Sequence, residues 1–226
     1  MKKSRYVRVL TIRLVDDISP REVTLFRGAV LNHMGNKADL LFHNHTGDNT
    51  FRYSYPFIQY KCLGGKASIV CVEKGIDIIG LFLSEANGKL VIGEREIECE
   101  IKNVKPTRVL VQTWDTLFNY HLVRWLPLNS KNYQKYKTIE GVTERISFLE
   151  SILKANLLAI LKGLDIRLDT ELKVTFTQLS EPYLVRFKTT KLMAFNVDFK
   201  SNLSIPNNIG VGKNASIGYG VIMQEH

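Results

Sequence analysis

Cysteine is scarce in this sequence, and its placement is uninformative for metal or disulfide chemistry. The chain has three, Cys62, Cys71 and Cys99. None stands in a CxxC or CxxxC group, so no zinc-ribbon cluster or disulfide framework is readable. An odd number of unclustered thiols fits a reducing compartment. No apolar run is long enough to span a bilayer. The N-terminal stretch MKKSRYVRVLTIRLV starts basic, but its apolar residues alternate with Arg8, Thr11 and Arg13. That is the pattern of a strand, not of a signal-peptide core. There is no Walker A loop, because no GK[ST] closes a spaced glycine motif. There is no dinucleotide fingerprint either, because no helix follows the glycines near the C-terminus. These absences lead to the expectation of a cytoplasmic protein with no membrane segment, no cofactor and no metal.

What the sequence has in excess is positive charge. The formal net charge is +9 and the pI is about 9.4. That bears on partners rather than on fold. In the absence of a membrane-type amphipathic helix it points to nucleic acid.

Periodicity supplies the architecture. Residues 5–14, RYVRVLTIRL, alternate as a strand. ISPREVTLFRGAVLNHMG reads as a helix with Ser19 as N-cap, Pro20 at the first helical position, Glu22 completing a capping box and Gly35 as the stop. FIQYKC and ASIVCV form a hairpin about Gly64 and Gly65. KGIDIIGLFLSEA is a second helix, followed by strands from GKLVIG onward. The order matches the ferredoxin-like βαββαβ unit. The second half begins again. FNYHLVRWLPL is a strand ending at Pro127. The segment from Lys137 to Leu164 is the longest helix, with a buried stripe of Ile146, Leu149, Ile152, Leu153, Leu157, Ile160 and Leu161. ELKVTFTQLS and YLVRFKTTKLMAFNVDFKSN supply further strands. A glycine-rich segment stands where the second helix of this half belongs. The expected fold is therefore α+β: two tandem ferredoxin-like, RRM-like domains, residues 1–114 and 115–226, with a C-terminal glycine-rich loop.

The string His43-Asn44-His45 invites comparison with HNH nucleases. In those the two histidines and the asparagine are spread over a ββα-metal unit, whereas here they are consecutive. No further ligands are spaced to converge on them. Two histidines at i and i+2 point the same way only in an extended segment. The surrounding LLFHNHTGDNT, with its loop-forming Gly and Asp, is compatible with that. The alternative is a solvated polar loop.

The segment Ser204–Met223, SIPNNIGVGKNASIGYGVIM, holds Gly210, Gly212, Gly218 and Gly220 around Lys213 and Ser216. Glycines let backbone N–H groups approach an anion, and Lys213 adds charge. The alternative is a glycine-rich hairpin with no ligand. This segment resembles the glycine signature of the RAMP superfamily of CRISPR-associated proteins. In that signature a G-hydrophobic-G pair is followed, after a short basic stretch, by G-aromatic-G. Gly210, Gly212, Gly218, Tyr219 and Gly220 match it, with Tyr219 replacing the family's usual Phe. Asn202 and Pro206 also fit the repeat-processing branch.

That resemblance implies a CRISPR repeat-specific endoribonuclease. Such enzymes cut precursor transcripts without metal: the ribose 2′-hydroxyl attacks the adjacent phosphate, leaving a 2′,3′-cyclic phosphate and a 5′-hydroxyl. Their usual general base is a histidine after the first helix, where His43 and His45 fall. Imidazole titrates near neutral pH, so a base and an acid can sit side by side. Lys37, Arg52 and Lys61 are the candidate cations for the charge that develops on phosphorus, and Tyr53 or Tyr55 the candidate for positioning the phosphate. Arg52 and Lys61, then Arg186, Lys188, Lys191 and Lys200, are candidate RNA contacts. With them stand the loop residues Gly210, Gly212, Lys213, Ser216, Gly218 and Gly220. His33 is held in reserve, and His121 is read as structural. The implied partners are CRISPR repeat RNA, CRISPR effector-complex subunits and a second copy of the chain. The alternative is a non-catalytic RAMP subunit that binds crRNA.

Overall fold

The structure is a computed structural model, and it describes residues 4–35, 55–85 and 88–225. It divides into two compact units. An N-terminal unit comprises Val7–Arg108 with Ser216–Gly218. A C-terminal unit comprises Met1–Tyr6, Val109–Ala215 and Tyr219–His226.

The elements of the first half are strand β1 (Arg5–Asp17), helix α1 (Val23–Met34), strands β2 (Ile58–Leu63) and β3 (Lys66–Val72), helix α2 (Lys74–Glu85), a small two-stranded sheet β4 (Lys89–Ile92) with β5 (Arg95–Glu98), and strand β6 (Ile101–Val111). The four-stranded sheet runs β2-β3-β1-β6. Counted along the βαββαβ motif this is the order 2-3-1-4, the ferredoxin-like sheet. β2 and β3 pair antiparallel from Ile58↔Cys71 to Leu63↔Lys66. Gly64 and Gly65 turn the chain with φ of 58° and 78°, the paired positive values a type I′ hairpin demands. α1 buries Val23, Phe26, Ala29, Val30 and Met34 on one face, and the Phe26 ring meets Tyr60 edge-on at 5.8 Å.

α1 begins at Val23 rather than at Pro20. Residues 20–22 form a turn first, and the Glu22 carboxylate accepts the Ser19 N–H at 2.7 Å. That is half of the expected capping box, and the Ser19 bonds hold the Glu22 pKa below its usual value. Gly35, at φ 53°, stops the helix as expected.

The second half comprises strand β7 (Thr113–Trp125), helices α3 (Ser130–Thr138) and α4 (Val142–Gly163), and strands β8 (Val174–Leu179), β9 (Tyr183–Phe187), β10 (Thr190–Leu203) and β11 (Val221–Gln224). Its sheet runs β11-β7-β10-β8, with β9 paired to β10. Numbered along the motif this is 4-1-3-2, the same order read from the other edge. The helix expected from Lys137 begins instead at Val142, and a separate helix, α3, ends at Thr138 just before it. Asn129 caps α3, its side chain accepting the Asn132 N–H at 2.8 Å. α4 starts anew after Gly141. α4 buries Leu149, Ile152, Leu153, Leu157, Ile160 and Leu161. Ile146 lies one turn outside that stripe and is only half-buried. No helix of the described residues is long and apolar enough to cross a membrane.

Candidate functional site

Four expected catalytic residues, Lys37, His43, His45 and Tyr53, lie outside the described residues, as does Arg52. Gly35 closes α1, with its N–H bonded to the carbonyls of Asn32 and Leu31. Tyr55 is buried, and its hydroxyl accepts the Gln59 side-chain amide at 2.9 Å. His33 stands half-buried on α1, edge-on to Phe82 at 6.5 Å.

Lys61 corrects an expectation. It was expected to offer its ammonium to RNA, yet it is 0 % exposed. Strand alternation places Tyr60 and Lys61 on opposite faces of β2, and the structure covers both faces. Burial pushes the Lys61 pKa down to about 7. It is therefore an interior group, not a surface cation.

The glycine-rich segment is built by close packing of the chain against itself. A Cβ at Gly220 would lie 1.9 Å from the Val211 carbonyl oxygen, and one at Gly210 would lie 2.5 Å from that of Ala215. Gly212, at φ 83°, leaves room for Asn156: a Cβ there would meet Asn156 Oδ1 at 2.6 Å. That oxygen accepts the Trp125 indole N–H at 3.0 Å. Gly220 and Val211 also share a backbone bond of 2.7 Å. Tyr219 is buried between the edge of Phe187 and the Arg124 guanidinium, 4.8 Å from its ring centre. The aromatic of the signature is thus a packing anchor with a cation on its face. In the N-terminal unit the Tyr60 N–H donates to the Ser216 carbonyl at 2.8 Å, and a Cβ at Gly218 would press on Val23. Among the signature's side chains, Lys213 is exposed and Ser216 half-exposed.

The late strands do present a basic edge. Arg186 on β9 is directly opposite Lys191 on β10, and both are exposed. Lys188, at φ 53°, sits in the turn between them. Like charges placed opposite one another cost stability in the free protein. A polyanion laid across the hairpin relieves that cost. Lys200, further along β10, is exposed as well.

Two features went unread in the sequence. α3 pairs bases with rings: Lys135 lies over Phe148 at 4.9 Å, and Arg145 over Tyr136 at 5.5 Å. The Asn129 cap was the available signal for this helix. Second, strand register gathers His121, Asp198 and Glu225. His121 pairs with Asp198 across β7 and β10, their side chains in contact. One ligand atom from each of the three residues lies within 4.8 Å of the others. Among the described residues this is where a metal could be held. It is far in sequence from the expected catalytic histidines.

Comparison with known proteins is direct. Residues 5–109 match the family model described as the Cas6b N-terminal domain, and residues 112–225 match that of the Cas6b C-terminal domain. An uncharacterised protein of Methanocaldococcus jannaschii is 34% identical over 100 residues, spanning 44% of this chain and 67% of that protein. A solved structure described as a crystal structure of Cas6b superposes with a TM-score of 0.86 at 25% identity, over 98% of this chain and 100% of the other. Another, described as the CRISPR RNA processing endoribonuclease Cas6b, gives 0.74 at 22% identity over the same shares, a likeness of fold.

Proposed function

Because the chain belongs to the Cas6b family, and with it to the CRISPR repeat-specific endoribonucleases of the RAMP type, we propose that it cuts CRISPR repeat RNA in precursor transcripts to mature crRNA. The observation that carries this reading is the pair of family matches, which together run from residue 5 to residue 225 with a gap of two residues.

The chemistry is transesterification. One of His43 and His45 takes the proton of the ribose 2′-hydroxyl. The 2′-oxygen then bonds to the adjacent phosphorus as the bond to the 5′-oxygen breaks. The other histidine protonates that leaving oxygen. The products are a 2′,3′-cyclic phosphate and a 5′-hydroxyl, and the reaction needs no metal. Lys37 offsets the charge growing on the phosphoryl oxygens, and Tyr53 positions the phosphate. The N-terminal domain carries the chemistry. The C-terminal domain holds RNA through Arg186, Lys188, Lys191, Lys200 and Lys213. The glycines of the signature serve by shaping the loop that presents Lys213. The enzyme works in the cytoplasm on its repeat RNA, alongside effector-complex subunits and as a homodimer.

The test is cleavage of the cognate repeat in EDTA by the wild type, His43→Ala and His45→Ala, with a second substrate carrying a 2′-deoxy sugar at the scissile nucleotide. The expected result is that wild type cuts the all-ribose substrate, while the deoxy substrate and at least one variant do not react. Binding of the repeat with no cleavage by any protein would instead favour the non-catalytic crRNA-binding subunit.

A further inference from the structure

A cavity of about 350 Å³ opens in the C-terminal unit beside the glycine-rich loop, within the size range of small-ligand sites. Leu126, Pro127, Phe148 and Ile152 are its apolar lining residues. Its uncharged polar lining residues are Asn129, Asn132, Ser151 and Asn156. Among the described residues, Lys213 is the one charged residue that lines it, and no carboxylate does. A second cation, Lys135, stands over Phe148.

The signature glycines shape this place. Gly212 has no Cβ, so the loop closes onto Asn156 and the Trp125 indole. The next residue, Lys213, is thereby brought to the cavity. The Asn156 oxygen is engaged by Trp125, and the Asn129 oxygen by the N–H of Asn132. Each of these two side chains therefore keeps its amide NH₂ as donor.

We infer that this cavity is a subsite for one splayed nucleotide of the RNA substrate, its base held against Phe148 and the asparagine amides and its phosphate held by Lys213. The chemistry selects that ligand. Amide side chains read the edge of a base, an aromatic face stacks on it, and a lysine takes the phosphate. Two cations and no carboxylate disfavour a cationic ligand, and the polar lining disfavours a purely apolar one. Sequence-specific RNA proteins take up unstacked bases in this manner. The inference rests on the RNA-cleaving reading above and adds to it the place where a base outside the stacked helix is received.

The test is a coupled scan. Repeat RNAs, each lacking one base, are bound by wild type and by Ala155→Trp. Ala155 is exposed and lines the cavity, so the new ring fills the space while thermal unfolding confirms the fold. In wild type, one abasic position is expected to weaken binding about tenfold, the size of one base–aromatic contact. Ala155→Trp is expected to bind the intact repeat about tenfold more weakly and to be indifferent to that same position, the signature of a shared interaction. Asn132→Ala should show a smaller version of the same coupling. A folded Ala155→Trp that binds intact repeat like wild type overturns the subsite. So do abasic penalties that are equal in the two proteins. Wild type that binds no repeat RNA at all overturns the functional reading itself, and the subsite with it.

Discussion

The N-terminal and C-terminal units carry the same four-strand order, 4-1-3-2 along the motif, but they fill the connection to the last strand differently. In the first, helix α2 and the β4–β5 hairpin run between the third and fourth strands. In the second, no helix forms between Leu203 and Val221. The chain there is turns, short bridges and four glycines. A helix satisfies its own backbone and needs only one apolar face. The glycine segment must satisfy its backbone loop by loop, through bonds such as Val211 N–H to the Gly220 carbonyl and Gly220 N–H to that of Arg124. Replacing the helix brings backbone within van der Waals distance of backbone and leaves Lys213 outward. The two units thus divide the work proposed for them. One leads into the histidine segment after its first helix, and the other presents cations and a cavity.

The largest expected effect tests that division. His43→Ala or His45→Ala should slow cleavage by roughly 10²- to 10⁴-fold, the usual worth of a general acid or base, with repeat affinity within about twofold of wild type. Single-turnover rates and equilibrium binding separate the two effects. Equal losses in rate and affinity would mean that the histidines belong to the binding surface. Next comes a glycine in each unit. Gly220→Ala sets a methyl 1.9 Å from a carbonyl oxygen at φ 61°, whereas Gly64→Ala has the strained φ of 58° and open space around it. The turn substitution should cost about 1–2 kcal/mol, the penalty for a left-handed residue. Gly220→Ala should cost clearly more, because backbone must also move. Urea midpoints at constant m-value measure both. Equal losses would mean the glycine segment relaxes as freely as a hairpin turn.

Much of this was legible in the sequence, for identifiable reasons. Both domains announced themselves through periodicity. β1 alternates, the Gly64-Gly65 turn has the residues its dihedrals require, and the α4 stripe recurs at helical spacing. α3 was missed because it buries nothing, so no apolar stripe marks it. The start of α1 was read three residues early because Ser19 and Pro20 are good starting residues in a turn as well as in a helix. Lys61 was misread because alternation assumes one wet face, and β2 is dry on both. The glycine signature was visible, but not its use. Sequence says that a glycine is there, but not that the Asn156 side chain packs against Gly212. His121, Asp198 and Glu225 are separated by 77 and 27 residues and meet only through strand register, which spacing along the chain does not reveal.

Lys61 gives the N-terminal unit a dependence on pH that the basic edge of the C-terminal unit should lack. Its folded pKa is about 7 against 10.5 for an ordinary lysine. Between those values the unfolded chain holds a proton that the folded one does not, so unfolding becomes harder as pH rises. The penalty is full below about pH 7 and shrinks above it. Relative to wild type, Lys61→Met should therefore lose ground as pH rises from 6.5 to 8.5. Staying at or below about pH 8.5 limits the interference from cysteine ionisation in the unfolded chain. A constant gap across that range would mean that the amine stays charged in the interior.

The hairpin charges should act in the opposite sense on stability and on binding. Arg186→Gln or Lys191→Gln removes one of two like charges that face each other across β9 and β10. The free protein should be unchanged or more stable by a few tenths of a kcal/mol. Repeat RNA should bind more weakly, and the slope of log affinity against log salt should fall by about 0.7–0.9 for each phosphate that the protein no longer neutralises. The His121–Asp198 pair on the same sheet is the control with the smallest effect. Its side chains are 34% and 28% exposed, and Asp198→Asn should cost no more than about 1 kcal/mol while leaving the salt slope as it was. If the slope moves as much for Asp198→Asn as for Arg186→Gln, the RNA reaches across the whole outer sheet and is not confined to the hairpin. The basic residue to test next would then be Lys200, two positions along β10 from Asp198.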